Sequence, residues 1–338
     1  MIDLSDLPLE ILVNIAAFLP TRDIVNLSVC SKCFHDLLSI TKLTDRINFR
    51  KINGLPYFDS FTNVEYGKFS ESEFAFPKRL QTLHWYSGET LPELPHSLEH
   101  LNLGFSYNQQ LPQLPDSLIH LELSVSFEQQ LTKLPESLEH LNLGSNYCQA
   151  LPQLPDSLKY LHLGDCFNQK ISQFPKSLMH LELSTHYNQK FPAFPDSLIY
   201  LKLGFHYNQL LPRFPNSLTH LILGDHFTLK LLHLPDSIQH LELGYYYNKK
   251  LRRLPPSLKY LKLGSSYNQL LPQLPNSLEH LELGYHYNQL LPELPSSLKS
   301  LSVDETFKVS DISPNIIIIK RSTFSSFNME NYSTWPEN

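Results

Sequence analysis

Cysteine is scarce in this chain of 338 residues; only Cys30, Cys33, Cys148 and Cys166 occur. They do not make the disulfide framework that small secreted domains need. Cys30-Ser31-Lys32-Cys33 has redox or half-zinc spacing, but no second Cys pair follows at ligand distance. Zinc is therefore not expected, and on a helix the two thiols simply share a face. Charge is thin as well. Charged residues make up 18% and the net charge is -6, which excludes a strong pull toward nucleic acid or anionic membrane. Long hydrophobic runs are missing. The longest aliphatic run, Ile316 to Ile319, has strand length and falls far short of the roughly 18 residues of a membrane span. The opening Met1-Ile2-Asp3-Leu4-Ser5-Asp6 has no basic segment followed by a cleavable apolar run, so no signal peptide is read. These absences predict an intracellular, soluble protein of the cytoplasm.

Catalytic text is missing too. The chain has no nucleophile elbow, phosphate-binding glycine loop, paired metal-ligand motif or unique acid/base set. No catalytic residue, cofactor or metal is expected, and the protein is not read as an enzyme.

Proline, by contrast, is abundant at 25 residues, and most prolines sit at fixed phase. Eleven times, at intervals of 20 residues, the chain writes Leu-Pro-x-Ser-Leu-x-x-Leu-x-Leu or a close variant, from Leu94–Leu103 to Leu294–Val303. Such a period marks a solenoid, whose units stack on one another and do not fold alone. Residues that recur in every unit do not readily form one asymmetric catalytic centre. Leu101-x-Leu103 and its equivalents suit short strands stacked as one parallel sheet, about 4.8 Å per coil. Leu94, Leu98, Tyr107 and Leu111 supply further inward columns. The aromatic column (Tyr107, Phe127, Tyr147, Phe167, Tyr187, Tyr207, Phe227, Tyr247, Tyr267, Tyr287, Phe307) predicts a stack of buried rings. Pro92 and Pro95 hold the return side extended, as polyproline II, with Ser97 as side-chain partner for its backbone. Gly104 and its equivalents are read as sharp turns, with Ser at 124 and 184.

The expected organisation is a helical module over 1–45, a linker and degenerate opening coil over 46–90, regular repeats over 91–303, and an exit cap and tail over 304–338. In the first module Leu9, Leu12, Ile15, Ala16 and Leu19 have helical spacing. Pro8 is a first-turn proline and Pro20 closes the segment. A second helix, capped by Thr21 or Asp23, buries Ile24, Leu27, Phe34, Leu37 and Leu38. In the opening coil Pro77, Leu80, Leu83 and Trp85 repeat the later spacing.

The repeat resembles leucine-rich repeats and, more closely, the FNIP repeats known from amoebae and large DNA viruses of amoebae. The matching text is Tyr-Asn-Gln-x-Leu-Pro-x-Leu-Pro-x-Ser-Leu-x-x-Leu-x-Leu-Gly, complete from Tyr267 to Gly284. One departure is that the aromatic stands four residues after Leu103, where ordinary leucine-rich repeats place Asn three after. An Asn comes one later, at Asn108, Asn168, Asn188 and Asn208.

The text Leu7-Pro8-Leu9-Glu10-Ile11-Leu12, Ile15, Phe18-Leu19-Pro20, Asp23-Ile24, Leu27, Val29-Cys30 and Phe34 resembles an F-box. That resemblance implies docking of a Skp-type adaptor, and through it a cullin ubiquitin-ligase core, by Leu7, Pro8, Ile11, Leu12, Ile15, Leu19 and Leu27. A helical cap on the solenoid is the plainer reading of the same residues.

Two columns flank the core leucines and are expected to face outward. One is His100, His120, His140, Tyr160, His180, Tyr200, His220, His240, Tyr260 and His280. Its neighbour is Asn102, Glu122, Asn142, His162, Glu182, Lys202, Ile222, Glu242, Lys262 and Glu282. Stacked imidazoles suggest either a metal grip or a cross-strand ladder of half-exposed groups, and the ladder is favoured. As a functional surface this face suits a protein partner, with the variable column setting specificity. A further column with His186, His206, His226 and His286 is read as loop decoration. A basic stripe at Lys170, Lys190, Lys230 and Lys250 is read as solvated rim. The expected function is a non-catalytic substrate adaptor of a Skp-cullin-F-box-type ligase with an unknown protein target. The alternative is a repeat interaction scaffold without any ligase link.

Overall fold

The structure is a computed structural model that describes residues 7–30, 38, 41–67, 75–307 and 315–321, without the side chains of residues 9 and 27–30. Phe34 and Leu37, assigned to the second helix, lie outside the described residues, as does the side chain of Leu27. The chain divides into two compact units, residues 1–169 and 170–338.

The first unit opens with helices α1 (Leu9–Ala16) and α2 (Thr21–Cys30). Leu12, Ala16 and Ile24 are buried, as is Leu38. Pro8 is the N-cap of α1. Pro20 does not close the first helix, which ends at Ala16. It opens the second, and its carbonyl accepts from the N–H groups of Asp23 and Ile24. A proline before the first turn has no N–H to lose, which suits it to that place. Thr21 and Asp45 exchange hydrogen bonds, Thr21 N–H to Asp45 Oδ2 (2.8 Å) and Asp45 N–H to Thr21 Oγ1 (3.3 Å). They tie α2 to the segment that leads into the sheet.

That sheet is parallel and in sequence order among the described residues: β1 (Ile47–Asn48), β2 (Asn63–Tyr66), β3 (Thr82–Trp85), β4 (His100–Asn102), β5 (His120–Glu122), β6 (His140–Asn142) and β7 (Tyr160–His162). It begins two coils earlier than the repeat text suggests. Ile47 pairs with Val64, Val64 with Leu83, and Leu83 with Leu101, at intervals of 17, 19 and 18 residues. Unequal coil lengths hide the period there. The irregular aromatics start the core: Tyr66 stacks on Trp85 with centroids 4.0 Å apart, and Phe49 packs edge-on to Tyr66.

The second unit stacks β8 (His180–Glu182), β9 (Tyr200–Lys202), β10 (His220–Ile222), β11 (His240–Glu242), β12 (Tyr260–Lys262), β13 (His280–Glu282), β14 (Ser300–Asp304) and β15 (Ile317–Arg321), again parallel and in order. The aliphatic run of the exit segment forms β15, paired with β14 (Leu301 with Ile318). Ile317, Ile318 and Ile319 remain exposed. Arg321 ends this strand and donates to Glu282 and to the carbonyl of Leu283.

Within each unit the repeat text is explained residue by residue. Leu98, Leu101 and Leu103 and their equivalents are buried. Removing each from water is worth roughly 1.5–3 kcal/mol. A tight turn joins Pro95 C=O to Leu98 N–H (3.1 Å), and it recurs at Pro115–Leu118 and Pro215–Leu218. The serine hydroxyl bonds between coils: Ser117 Oγ donates to Leu98 O (2.6 Å), and Ser217 Oγ to Leu198 O (2.7 Å). It thus satisfies a turn carbonyl of the preceding coil that would otherwise be buried unpaired.

Tyr-Asn-Gln divides its labour. The aromatic enters the core, where Tyr107 and Phe127 lie 6.2 Å apart at 6°, and Tyr207 and Phe227 6.4 Å apart at 10°. The Asn carbonyl accepts the N–H at the same position one coil on, as in Asn108 Oδ1 with Glu128 N–H (2.9 Å) and Asn188 Oδ1 with Asn208 N–H (2.9 Å). The Gln amide of that next coil donates to the same oxygen, Gln129 to Asn108 and Gln269 to Asn248, both at 3.1 Å. The asparagine ladder of leucine-rich repeats is therefore present, displaced along the coil.

The glycines are not turn residues in general. Of the repeat glycines only Gly104 has a positive φ, 60°. The others pack against the preceding coil: a Cβ on Gly144 would lie 1.7 Å from Ser124 O, and one on Gly224 1.8 Å from Gly204 O. Close backbone approach, rather than conformational freedom, accounts for them.

Candidate functional site

The N-terminal site is built on α1. Its residues at positions i, i+4 and i+7 share a face. Ile11 (45% exposed), Ile15 (38%) and Phe18 (89%) form such a stripe at the helix and its following turn. Pro8 is exposed, and Leu7 and Leu19 are half-buried. Leu12 is a correction: at 3% exposure it faces inward and offers no contact surface. Leu12 lines up with Ala16 four residues on, which is buried as well. Phe18, part of the motif text and in helical spacing with Ile11 and Ile15, is the most exposed of the three.

The second site is the outer sheet face. Strand alternation puts residues 100 and 102 of each coil outward and 101 inward. The register pairs His100 with His120, and Asn102 with Glu122. In the first unit the ring centroids of His100, His120, His140 and Tyr160 follow one another at 5.9, 5.2 and 4.2 Å. In the second unit His180–Tyr200 (3.9 Å) and His240–Tyr260 (4.3 Å) stack closest, while His220–His240 (5.4 Å) and Tyr260–His280 (6.4 Å) are looser. All are half-buried except exposed His100.

Much of the charge in the neighbouring column is matched coil to coil. Lys202 pairs with Glu182, Lys262 with Glu242 (3.3 Å) and Arg321 with Glu282; Asn102 donates to Glu122. Asn142 lies outward between Glu122 and His162, and half-buried Ile222 faces Glu242. His240 Nε2 lies 2.8 Å from Glu242 Oε1, and Tyr260 donates to Glu282 (3.2 Å). Among the described residues no group of three or more His, Cys, Asp or Glu side chains is placed to hold a metal ion. The surface is a face of stacked aromatic rings and paired charges.

Burial, then the charges of His140 and His100, lower the His120 pKa from 6.5 to about 4. Burial likewise lowers His140 and His220. A depressed histidine pKa means that the unfolded chain holds more protons between about pH 6.5 and 4. Stability is therefore full above that window and falls as pH drops through it. The share of His120 is on the order of 2 kcal/mol, discounted from the full shift for partial exposure. Melting temperature should fall between pH 6.5 and 5, and His120→Tyr, which copies Tyr160, should flatten the slope. An unchanged slope in that variant would remove the imidazole from the explanation.

No helix among the described residues is long and apolar enough to cross a membrane. No curated protein matches the chain. Among solved structures, CroV588, a novel circular leucine-rich-repeat protein, aligns with TM-score 0.71 and 36% identity over 78% of this chain and 44% of its own. The chain thus spans less than half of that protein's length. YopM, a leucine-rich effector protein from Yersinia pestis, aligns with TM-score 0.51 and 25% identity over 73% of this chain and 84% of its own. The fold is a repeat solenoid of the leucine-rich kind, a typical non-catalytic scaffold. The F-box domain model matches residues 4–50. The FNIP repeat model matches nine segments: 90–126, 107–146, 127–166, 147–186, 187–226, 207–246, 229–266, 247–286 and 267–306. The matched repeats make up well over half of the sequence, and the chain belongs to the FNIP repeat family, with an F-box domain before the repeats.

Proposed function

We propose that the protein is the substrate-recognition adaptor of a Skp-cullin-F-box-type ubiquitin ligase. The F-box docks a Skp-type adaptor, and the outer sheet face holds a protein target for transfer by the attached ligase. The division into an F-box over 1–45, an opening region over 46–90, repeats over 91–303 and a closing segment over 304–338 belongs to this reading. The observation that carries it is the apolar stripe Ile11, Ile15 and Phe18, exposed on α1 and the turn after it, while the adjacent face of α1, through Leu12 and Ala16, is buried. An amphipathic helix with a second, uncovered apolar stripe suits a helical groove on a partner.

The test is a binding titration between the purified chain and a purified Skp-type adaptor. Ile11→Asp/Phe18→Asp should weaken binding at least thirtyfold, since two exposed anchors are lost while the buried side of α1 is untouched. Undiminished binding by a normally melting double variant would reject this docking surface. A scaffold without a ligase link predicts that adaptor and chain do not bind at all.

A further inference from the structure

A repeat array carries its own control. A position dictated by the fold should read alike in every coil, so a run of departures in consecutive coils has another cause. The two residues after each strand's last core leucine and glycine are such positions. The second of them is Ser106, Ser126, Asn146 and Cys166 in the first unit and Ser266 in the second, but His186, His206, His226 and Tyr246 in four successive coils of the second. The residue before it is Phe205, Asp225 and Tyr245 in the last three of those coils, and Phe105, Val125, Ser145 and Asp165 in the first unit.

These side chains form one connected cluster. Phe205 lies 4.8 Å from His206 and 4.9 Å from His226 between ring centroids, and His206 lies 4.9 Å from His226. His226 meets Tyr246 at 5.0 Å, and Tyr246 meets Tyr245 at 4.7 Å. Unlike the core spine, these rings lie open: Phe205 is 40%, Tyr245 41% and Tyr246 48% exposed. Asp225 stands between Phe205 and Tyr245 in its column. Its Oδ1 accepts the Tyr245 N–H (3.1 Å), and the rest of the carboxylate is left to accept more. Among the described residues it has no Lys or Arg ion-pair partner, unlike Glu182 and Glu242.

We propose that this rim of the second unit binds an arginine side chain of a protein partner. Ring faces attract a cation through their quadrupole, and a planar, weakly hydrated guanidinium can stack on them while donating to a carboxylate. A lone acid amid open rings offers both contacts. The rim uses none of the residues of α1 or of the two outward sheet columns, so the inference does not depend on the ligase reading.

The test uses the full chain and a fluorescent Gly-Ser peptide bearing two arginines, read by anisotropy. A second peptide carries citrulline in their place, which keeps the shape and removes the charge. The arginine peptide should bind about tenfold tighter than the citrulline peptide. Phe205→Ala/Tyr246→Ala should lose about tenfold, and Asp225→Asn about three- to fivefold, with melting temperatures unchanged because Phe205 and Tyr246 are exposed and asparagine keeps the oxygen that accepts the Tyr245 N–H. Phe105→Ala, in the first unit, should bind as the wild type does. Equal binding of the two peptides, no binding, or full binding by both rim variants would overturn the proposal. So would sedimentation that shows self-association of the wild type abolished by Phe205→Ala/Tyr246→Ala, because a second copy would then be the occupant.

Discussion

Gly244→Ala is expected to destabilise the second unit by about 3 kcal/mol, at the upper end of what overpacking costs. The added Cβ would lie 1.9 Å from the carbonyl oxygen of Gly224, 2.6 Å from its carbon and 2.9 Å from the Cα of Asp225. All three atoms are backbone, so no rotamer change relieves the clash, and the two coils must move apart. Separation would strain the ladder bond that follows, Tyr246 N–H to Asp225 O at 2.9 Å. Gly67→Ala is the matched control, since a Cβ there meets nothing within 4 Å. Its effect should stay within about 0.5 kcal/mol. Chemical denaturation of the two variants decides the matter. If Gly244→Ala melts like Gly67→Ala, the coils are not packed as closely as described.

Phe227→Ala is expected to cost about 3–5 kcal/mol, the usual range for emptying a buried aromatic site. Phe227 is 1% exposed and lies between Tyr207 and Tyr247, with centroids at 6.4 and 6.3 Å. Its loss removes two ring contacts and leaves a cavity that the rigid neighbouring coils do not fill. Because each coil is held only by its neighbours, the damage should concentrate around this coil. Hydrogen exchange should show the amides of β10 and β11 opening first, while those of β4 and β5 keep their protection. Replacement of a tyrosine of the same column by phenylalanine, as in Tyr147→Phe, should cost under about 1 kcal/mol. It keeps the ring and loses one hydroxyl bond, that of Tyr147 to Ala150 O (3.2 Å), and phenylalanine already fills the column at 127 and 167. A loss for Phe227→Ala no larger than that for Tyr147→Phe would show that the rings are not the source of coil cohesion.

The regular coils were legible in the sequence because one structural requirement is repeated at equal length. Leu101, Leu121 and Leu141 answer the same packing demand, so their columns show in the text as they do in space. The coils of β1 to β3 were legible only in part. Their strands pair in the same way, but intervals of 17, 19 and 18 residues erase the textual period. The glycine column was legible as a column and misread as a turn, since the carbonyl it faces belongs to another coil. The N-terminal site was visible as a motif, whereas the split between exposed Ile11 and buried Leu12 was not. Both are apolar, and only the packing of α1 separates them.

Composition and period by themselves determined the class of this protein: short parallel strands stacked coil on coil, and an aromatic spine. They suffice because each is a one-dimensional rule, with side chains placed by alternation and by distance along the chain. The tertiary structure alone decided what happens between coils. It showed the serine that bonds back to the previous turn, the Asn-Gln ladder, the glycines pressed against carbonyls, and the open rings around Asp225. Those facts depend on the few ångströms between stacked backbones, a separation that no residue encodes alone.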